Sequence, residues 1–151
     1  LVNIALETMQ TISENEVQIL HNELCKHLLT WSTTNDLVIL SLTLRVIFNL
    51  FQSMLRNQMK VPLEIFLTSV HIRILDLKSK FTPEQREVAL ESLLEFCQEP
   101  SLMMDLYLNY DCDMNCTNLF LTIMQSLCKM ASPEGDAVMS LNKIALDGIL
   151  A

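Results

Sequence analysis

Glycine is nearly missing from this chain, with two residues in 151, and proline is scarce, with four. A β-sandwich or barrel turns roughly every ten residues and draws on both to do so, which makes an all-β fold a poor match. Basic residues are also few. Ten lysines and arginines stand against 18 acidic residues, giving a net charge of -8 and an isoelectric point near 4.7. A field of that sign repels phosphate backbones and anionic lipid, so neither nucleic-acid binding nor a polybasic membrane anchor is expected. No Gly-rich phosphate loop, dinucleotide fingerprint or basic–aromatic alternation appears either.

What the chain does have is apolar residues, 50% of the total, with 28 leucines and nine methionines. That is enough for one compact, all-α domain with a substantial core. The five cysteines, at positions 25, 97, 112, 116 and 128, are an odd number in a chain that is not small and read as reduced, packed thiols of a cytoplasmic protein. Leu1 follows no initiator methionine and no basic, apolar, small-residue succession opens the chain. A piece of a longer protein without a signal peptide is therefore expected. The apolar stretch from Leu37 to Leu55 carries Arg45 at its centre. Ser41, Arg45, Asn49, Gln52 and Arg56 follow one another at helical spacing, a wet stripe suited to a helix in a soluble stack.

Apolar residues three and four apart predict eight helices. The first ends near Ile12. The second, from Glu16 to Trp31, puts Leu20, Leu24, Leu28 and Trp31 on one face, and the cap-rich link Ser32–Asn35 follows it. The third, from Asp36 to about Gln58, buries Leu37, Leu40, Leu44, Ile47, Phe51 and Met54. The fourth starts at Pro62 and continues through Phe66, Val70 and Ile74 to about Lys78. Thr82-Pro83-Glu84-Gln85 then supplies an N-cap hydroxyl, a proline at the first helical position and a glutamine at the third, the signature of a capping box. On the fifth helix Glu84, Glu87, Glu91 and Glu95 form an acidic stripe, read as a solvated face, opposite Leu90, Leu93, Leu94 and Cys97. The sixth, Leu102 to about Asn109, the seventh, about Thr117 to Met130, and an eighth after Gly135 complete the set. Helices of two to five turns with short links predict an armadillo- or HEAT-like α-solenoid of about eight antiparallel helices, without an exact sequence repeat.

One polar segment has no helical period: Tyr110-Asp111-Cys112-Asp113-Met114-Asn115-Cys116. Asp111, Asp113 and Asn115 match the first three ligands of an EF-hand loop, but Cys116 stands where the loop needs glycine and Thr122 where it needs a bidentate glutamate, so calcium is not expected. Cys112, Cys116 and Cys128 offer three thiolates without a CxxC pair or a nearby fourth ligand, and His21, His27 and His71 belong to distant helices. No metal, cofactor or catalytic residue is assigned. The structural reading is that Asp111 and Asp113 accept hydrogen bonds from the next helix start, Tyr110 packs its ring with its hydroxyl satisfied, and Asn109 caps the sixth helix. Met103, Met104, Met114, Met124 and Met130 are expected to fill core gaps, and His27 and His71 to be packing residues.

Leu106-Tyr107-Leu108-Asn109-Tyr110-Asp111-Cys112-Asp113, followed by Asn118-Leu119-Phe120, resembles the box that marks the HUS region, the homology upstream of the catalytic domain in large guanine-nucleotide exchange factors for Arf GTPases. Pro100-Ser101 and Asp105-Leu106-Tyr107 are most similar to the Golgi brefeldin-A-resistance branch, GBF or Gea, with Leu121 standing where an acidic residue is expected. The motif-level resemblance runs from about Glu99 to Phe120. It implies an armadillo-like fold and a regulatory scaffold that is not itself the exchange catalyst. Implied partners are the upstream dimerisation region of the same protein, and, through the parent, small GTPases of the Arf and Rab classes and the Golgi membrane, held peripherally from the cytoplasm. The box residues Asn109, Tyr110, Asp111, Cys112 and Asp113 are its candidate structural or partner site. A second candidate is an apolar end face of Val2, Ala5, Leu6 and Met9, which a stacked repeat would bury against the upstream region. Two alternatives stand beside this reading: a HEAT-type interaction adaptor without exchange-factor context, and a zinc-stabilised binding module.

Overall fold

The computed structural model describes residues 14–52, 60–76, 78–132 and 139–151, with side chains from residue 23 onward and, in the last segment, from residue 141. The expected first helix, the end face Val2, Ala5, Leu6 and Met9, and the residues Leu20, His21, Met54 and Arg56 lie outside the described parts. Among the described residues the fold is all-α and solenoid-like, with no strand. Its helices are α1 (Glu14–Trp31), α2 (Leu37–Gln52), α3 (60–75), α4 (Pro83–Cys97), α5 (100–111), α6 (Leu119–Ala131) and α7 (Met139–Leu150).

Side-chain acceptors set the starts of α2 and α4. Asp36 Oδ1 accepts from the N–H groups of Val38 (2.9 Å) and Ile39 (3.1 Å) and so opens α2. At α4 the capping box forms as the sequence predicts: Thr82 Oγ1 accepts from Gln85 N–H at 3.3 Å and Gln85 Oε1 accepts from Thr82 N–H at 2.9 Å. Gln85 is buried, and its amide also donates to the Thr34 carbonyl at 3.2 Å, fastening the α1–α2 link to the start of α4.

α4 is the centre of the stack. It packs against α2 and α3 on one side and α7 on the other, and α7 packs in turn on α6. The aromatic core joins α2, α3 and α4: Phe96 lies edge-on to Phe48 at 5.1 Å and against Phe51 at 6.1 Å, and Phe51 meets Phe66 at 6.2 Å. His71 stands edge-on to Phe96 at 5.6 Å, fully buried, with Nε2 3.1 Å from Ser92 Oγ.

α3 is not uniformly α-helical as its three-and-four spacing suggests. Leu67–Ile72 winds as a π-helix between the α-helical turns Lys60–Phe66 and Arg73–Leu75. Phe66 and Leu67, Val70 and His71, and Ile74 and Leu75 are all buried, doublets spaced four residues apart. Such a repeat overshoots the 3.6-residue α turn, and a wider i→i+5 turn takes up the drift and keeps each pair on the core.

Several expected core positions face solvent instead. Leu37 is 39% and Trp31 52% exposed, because Asp36 starts α2 only one residue before Leu37 and the stack has not yet closed over this end. Of the methionines whose side chains are described, only Met130 is fully packed; Met104 and Met114 are exposed. The packed-thiol expectation holds for Cys97, whose thiol burial pushes up to about 11. Cys25 and Cys116 are half-buried. Cys112 and Cys128 are exposed, the first in a turn beyond α5 and the second on the outer side of α6 beside Lys129. His27 is exposed against Trp31 rather than packed inside.

Burial lowers the His71 pKa to about 4, so the folded protein holds this ring neutral where an unfolded chain would charge it. The sign follows from linkage: above about pH 6.5 both states are neutral and nothing is lost, while between about 6.5 and 4 only the unfolded state takes up the proton. Stability should therefore fall across that window by up to roughly 3 kcal/mol from this residue alone. Urea unfolding midpoints measured from neutral pH downwards check it. In His71→Asn the part of the slope between these two values should vanish.

Candidate functional site

The box stands where α5 meets α6, and its geometry begins in the winding of α5. The α-helical part, Pro100–Leu106, passes into a π turn, Tyr107–Asp111, that ends at Cys112, whose N–H donates to the carbonyls of Tyr107 and Tyr110. Asn109 therefore lies inside the helix and is exposed, and it does not cap the helix as expected; the helix outruns it by two residues and Cys112 is the C-cap. The π turn carries Tyr110 inward. Its ring is buried, and its hydroxyl donates to the Lys60 carbonyl at 2.6 Å. Burial, with Glu64 and Cys116 adding to it, pushes the phenol well above its ordinary pKa, so it remains a donor.

Asp111 and Asp113, two residues apart, do different work. The Asp111 carboxylate reaches the start of α6, where Oδ2 accepts from Phe120 N–H at 2.8 Å and Oδ1 from Leu121 N–H at 3.0 Å. The residue in the N-cap position, Asn118, makes no side-chain cap, so the capping acceptor comes from Asp111 at the end of the preceding helix. The Asp113 carboxylate turns the other way: Oδ2 accepts from Lys60 Nζ at 2.9 Å, Oδ1 from Asn115 N–H at 3.0 Å. Cys116 Sγ lies 3.6 Å from Oδ2. The hydrogen bond from Lys60, with Asn115 N–H next, holds the Asp113 carboxyl at a pKa of about 2, and the same pair raises the Lys60 pKa. Asp113 is thus a local turn and cross-helix partner, not the cap of α6 that the sequence suggested.

Sequence reasoning missed three members of this cluster, Lys60, Glu64 and Thr117. Lys60 approaches Asp113, lies 5.6 Å from the centre of the Tyr110 ring and offers its carbonyl to the same tyrosine. Thr117 Oγ1 donates to Glu64 Oε1 at 2.7 Å. Both contacts join residues about fifty positions apart, and neither has a local signal in the sequence. Tyr107 completes the junction from the outside, edge-on to Phe120 at 5.8 Å. Cys112, the remaining box residue, is exposed. The three positions that imitate an EF-hand do not point their oxygens at a common centre, since both carboxylates are engaged by N–H and ammonium donors. Among the described residues no three His, Cys, Asp or Glu side chains are grouped to hold a metal ion.

The arrangement is thus a polar clasp between α-helices. Residues 1–119, which include the whole box, match the family model described as the HUS domain of Mon2/Sec7/BIG1-like proteins. Over 99% of its length the chain is 35% identical to a Golgi-specific brefeldin A-resistance guanine nucleotide exchange factor 1 homolog of Caenorhabditis elegans. Over 89% it is 33% identical to the ARF guanine-nucleotide exchange factor GNOM of Arabidopsis thaliana. A more distant relative, at 24% identity over 65% of the chain, is the brefeldin A-inhibited guanine nucleotide-exchange protein 1 of Rattus norvegicus. The chain belongs to the Sec7-like HUS domain family of Arf guanine-nucleotide exchange factors. It spans 8–9% of the length of the worm and GNOM relatives. No solved structure matches it.

Asp111→Ala should leave two N–H groups at the start of α6 without their acceptor and lower stability by about 2 kcal/mol. Asp111→Asn, which keeps one acceptor oxygen, should lose about half of that. Chemical denaturation of the two variants against the parent sequence measures both. Asp113→Ala should cost less, because its carboxylate and Lys60 are both solvent-accessible. Its contribution is present above about pH 3.8 and is lost as the pH falls towards about 2.

Proposed function

We propose that residues 1–151 form a single, non-catalytic scaffold domain of a larger Arf guanine-nucleotide exchange factor. In this reading the domain docks with the dimerisation region upstream of it and helps to bring the parent to Golgi membranes from the cytoplasm. Arf- or Rab-class GTPases meet the parent. The observation that carries the reading is the clasp: Tyr110, Asp111 and Asp113 spend their polar atoms on Lys60, Asn115, Phe120 and Leu121. Residues committed to one another in this way set the angle between helices, which is what a scaffold needs and a catalyst does not. The names of the relatives support the Arf and Golgi context. Among the described residues no helix is long and apolar enough to cross a membrane, which agrees with peripheral attachment.

The chain alone should release no nucleotide from Arf above the spontaneous rate, followed by loss of a fluorescent guanine nucleotide. Stimulated release would place catalysis inside this domain and sink the reading. In the parent, Asp111→Ala should lower both the domain's unfolding midpoint and the parent's recruitment to Golgi membranes. Full stability with recruitment lost would make the box a contact surface instead. Charged substitutions at Leu6 and Met9 should weaken association with the upstream region while leaving this domain folded, as read by pull-down and circular dichroism. Unchanged binding would move the interface to another face, such as the acidic stripe of α4.

A further inference from the structure

Away from the box, the C-terminal ends of α3 and α6 border an open cleft of about 760 Å³. Arg73, Lys78 and Lys129 line it, and Asp76 is its one carboxylate among the described residues. All three cations are exposed, and none makes an ion pair among the described residues. Three of the chain's ten lysines and arginines thus share one cleft in a protein of net charge -8. We propose that this cleft binds a phosphomonoester dianion.

The ordinary explanation for cations at helix ends is that they cap the last carbonyls or answer the helix dipole. At α3 the capping is done by other groups. The Ile72 carbonyl accepts from Asp76 N–H, the Asp76 carbonyl from both the N–H and the hydroxyl of Ser79, and the Ser79 carbonyl from Arg86. None of these bonds uses the Arg73 or Lys78 side chain, and neither side chain has a hydrogen-bond or ion-pair partner among the described residues. The cleft's hydroxyls are spent as well: Thr68 donates to the Glu64 carbonyl and Ser126 to that of Thr122. A ligand would therefore find cationic donors above an apolar floor of Ile72, Leu75 and Met130.

Charge balance selects the class of ligand. Three cations less Asp76 leave two positive charges. A phosphomonoester carries about -1.5 to -2 near neutral pH and presents three acceptor oxygens, where a carboxylate brings one charge and leaves the cleft half neutralised. Arg73 has the planar fork that binds two phosphate oxygens at once, and the lysines act as point charges. The acidic remainder of the surface does not cancel this, because at physiological salt the Debye length is about 8 Å and only nearby charges count. The inference does not depend on the scaffold reading.

The test uses the 151-residue chain with two probes that share the chemistry. Inorganic phosphate is titrated while backbone amide resonances are followed. In parallel, sedimentation measures binding to phosphatidylcholine vesicles containing phosphatidic acid, against vesicles of matched charge containing phosphatidylserine. Saturable shifts centred on Arg73, Lys78 and Lys129 are expected, and Arg73→Gln and Lys129→Gln should each weaken binding about tenfold. Arg45→Gln, on α2 outside the cleft, should leave it unchanged. All three side chains are exposed, and circular dichroism confirms that each variant is folded. Saturable phosphate binding without a preference for phosphatidic acid supports the proposal with a soluble phosphate as the source; a preference for phosphatidic acid supports it with a lipid head group. Two results overturn it: no saturable binding of either probe, or binding that Arg45→Gln weakens as much as Arg73→Gln.

Discussion

The start of α6 exposes backbone N–H groups that its own helix cannot satisfy, and the chain meets that need from Asp111, at the end of the preceding helix, rather than from Asn118 in the cap position. Much of the junction follows from this choice. For its carboxylate to reach Phe120 and Leu121, α5 must continue through Asp111, and it does so by widening into a π turn. The same turn swings Tyr110 under Lys60 and leaves Asp113 beyond the helix end, where it meets the Lys60 ammonium. A cap at Asn118 would have freed α5 to stop earlier, and the contacts to α3 would have no fixed origin.

How much of this was legible in the sequence depends on how local each cause is. Thr82, Pro83 and Gln85 are contiguous, all parts of the capping box lie within four residues, and the start of α4 was predicted to the residue. Helix existence came from apolar spacing, which reports the buried face directly. The π turns were not legible, because a doublet repeated every four residues looks like an ordinary helical stripe until the drift over two turns is counted. The end of α5 was misplaced at Asn109 for the same reason. Residue types foretold that the aspartates of the box would accept backbone N–H groups. Only the structure assigns Asp111 to α6 and Asp113 to Lys60, since the latter pair joins residues 53 positions apart.

The two buried polar groups of the core and the junction make a useful contrast. His71 sits among Phe96 and apolar neighbours with Ser92 as its partner, and burial alone holds it neutral. Tyr110 is also buried, but a chain carbonyl accepts its proton, so it binds two helices together through a group that does not change charge near neutral pH. Acid therefore reaches the core through His71 between about pH 6.5 and 4, and reaches the junction through Asp113 only below about 3.8.

An acidic chain with its polar atoms spent internally has two ways left to recognise anything: apolar faces and the few places where its sparse cations gather. The α4 stripe of Glu84, Glu87, Glu91 and Glu95 repels anions over its own face of the molecule. In a protein of net charge -8 the cluster of Arg73, Lys78 and Lys129 is a local reversal of sign. Arg73 and Lys129 ride near the ends of α3 and α6, and the starts of the same two helices are tied together by the contacts of Lys60 with Asp113 and of Glu64 with Thr117.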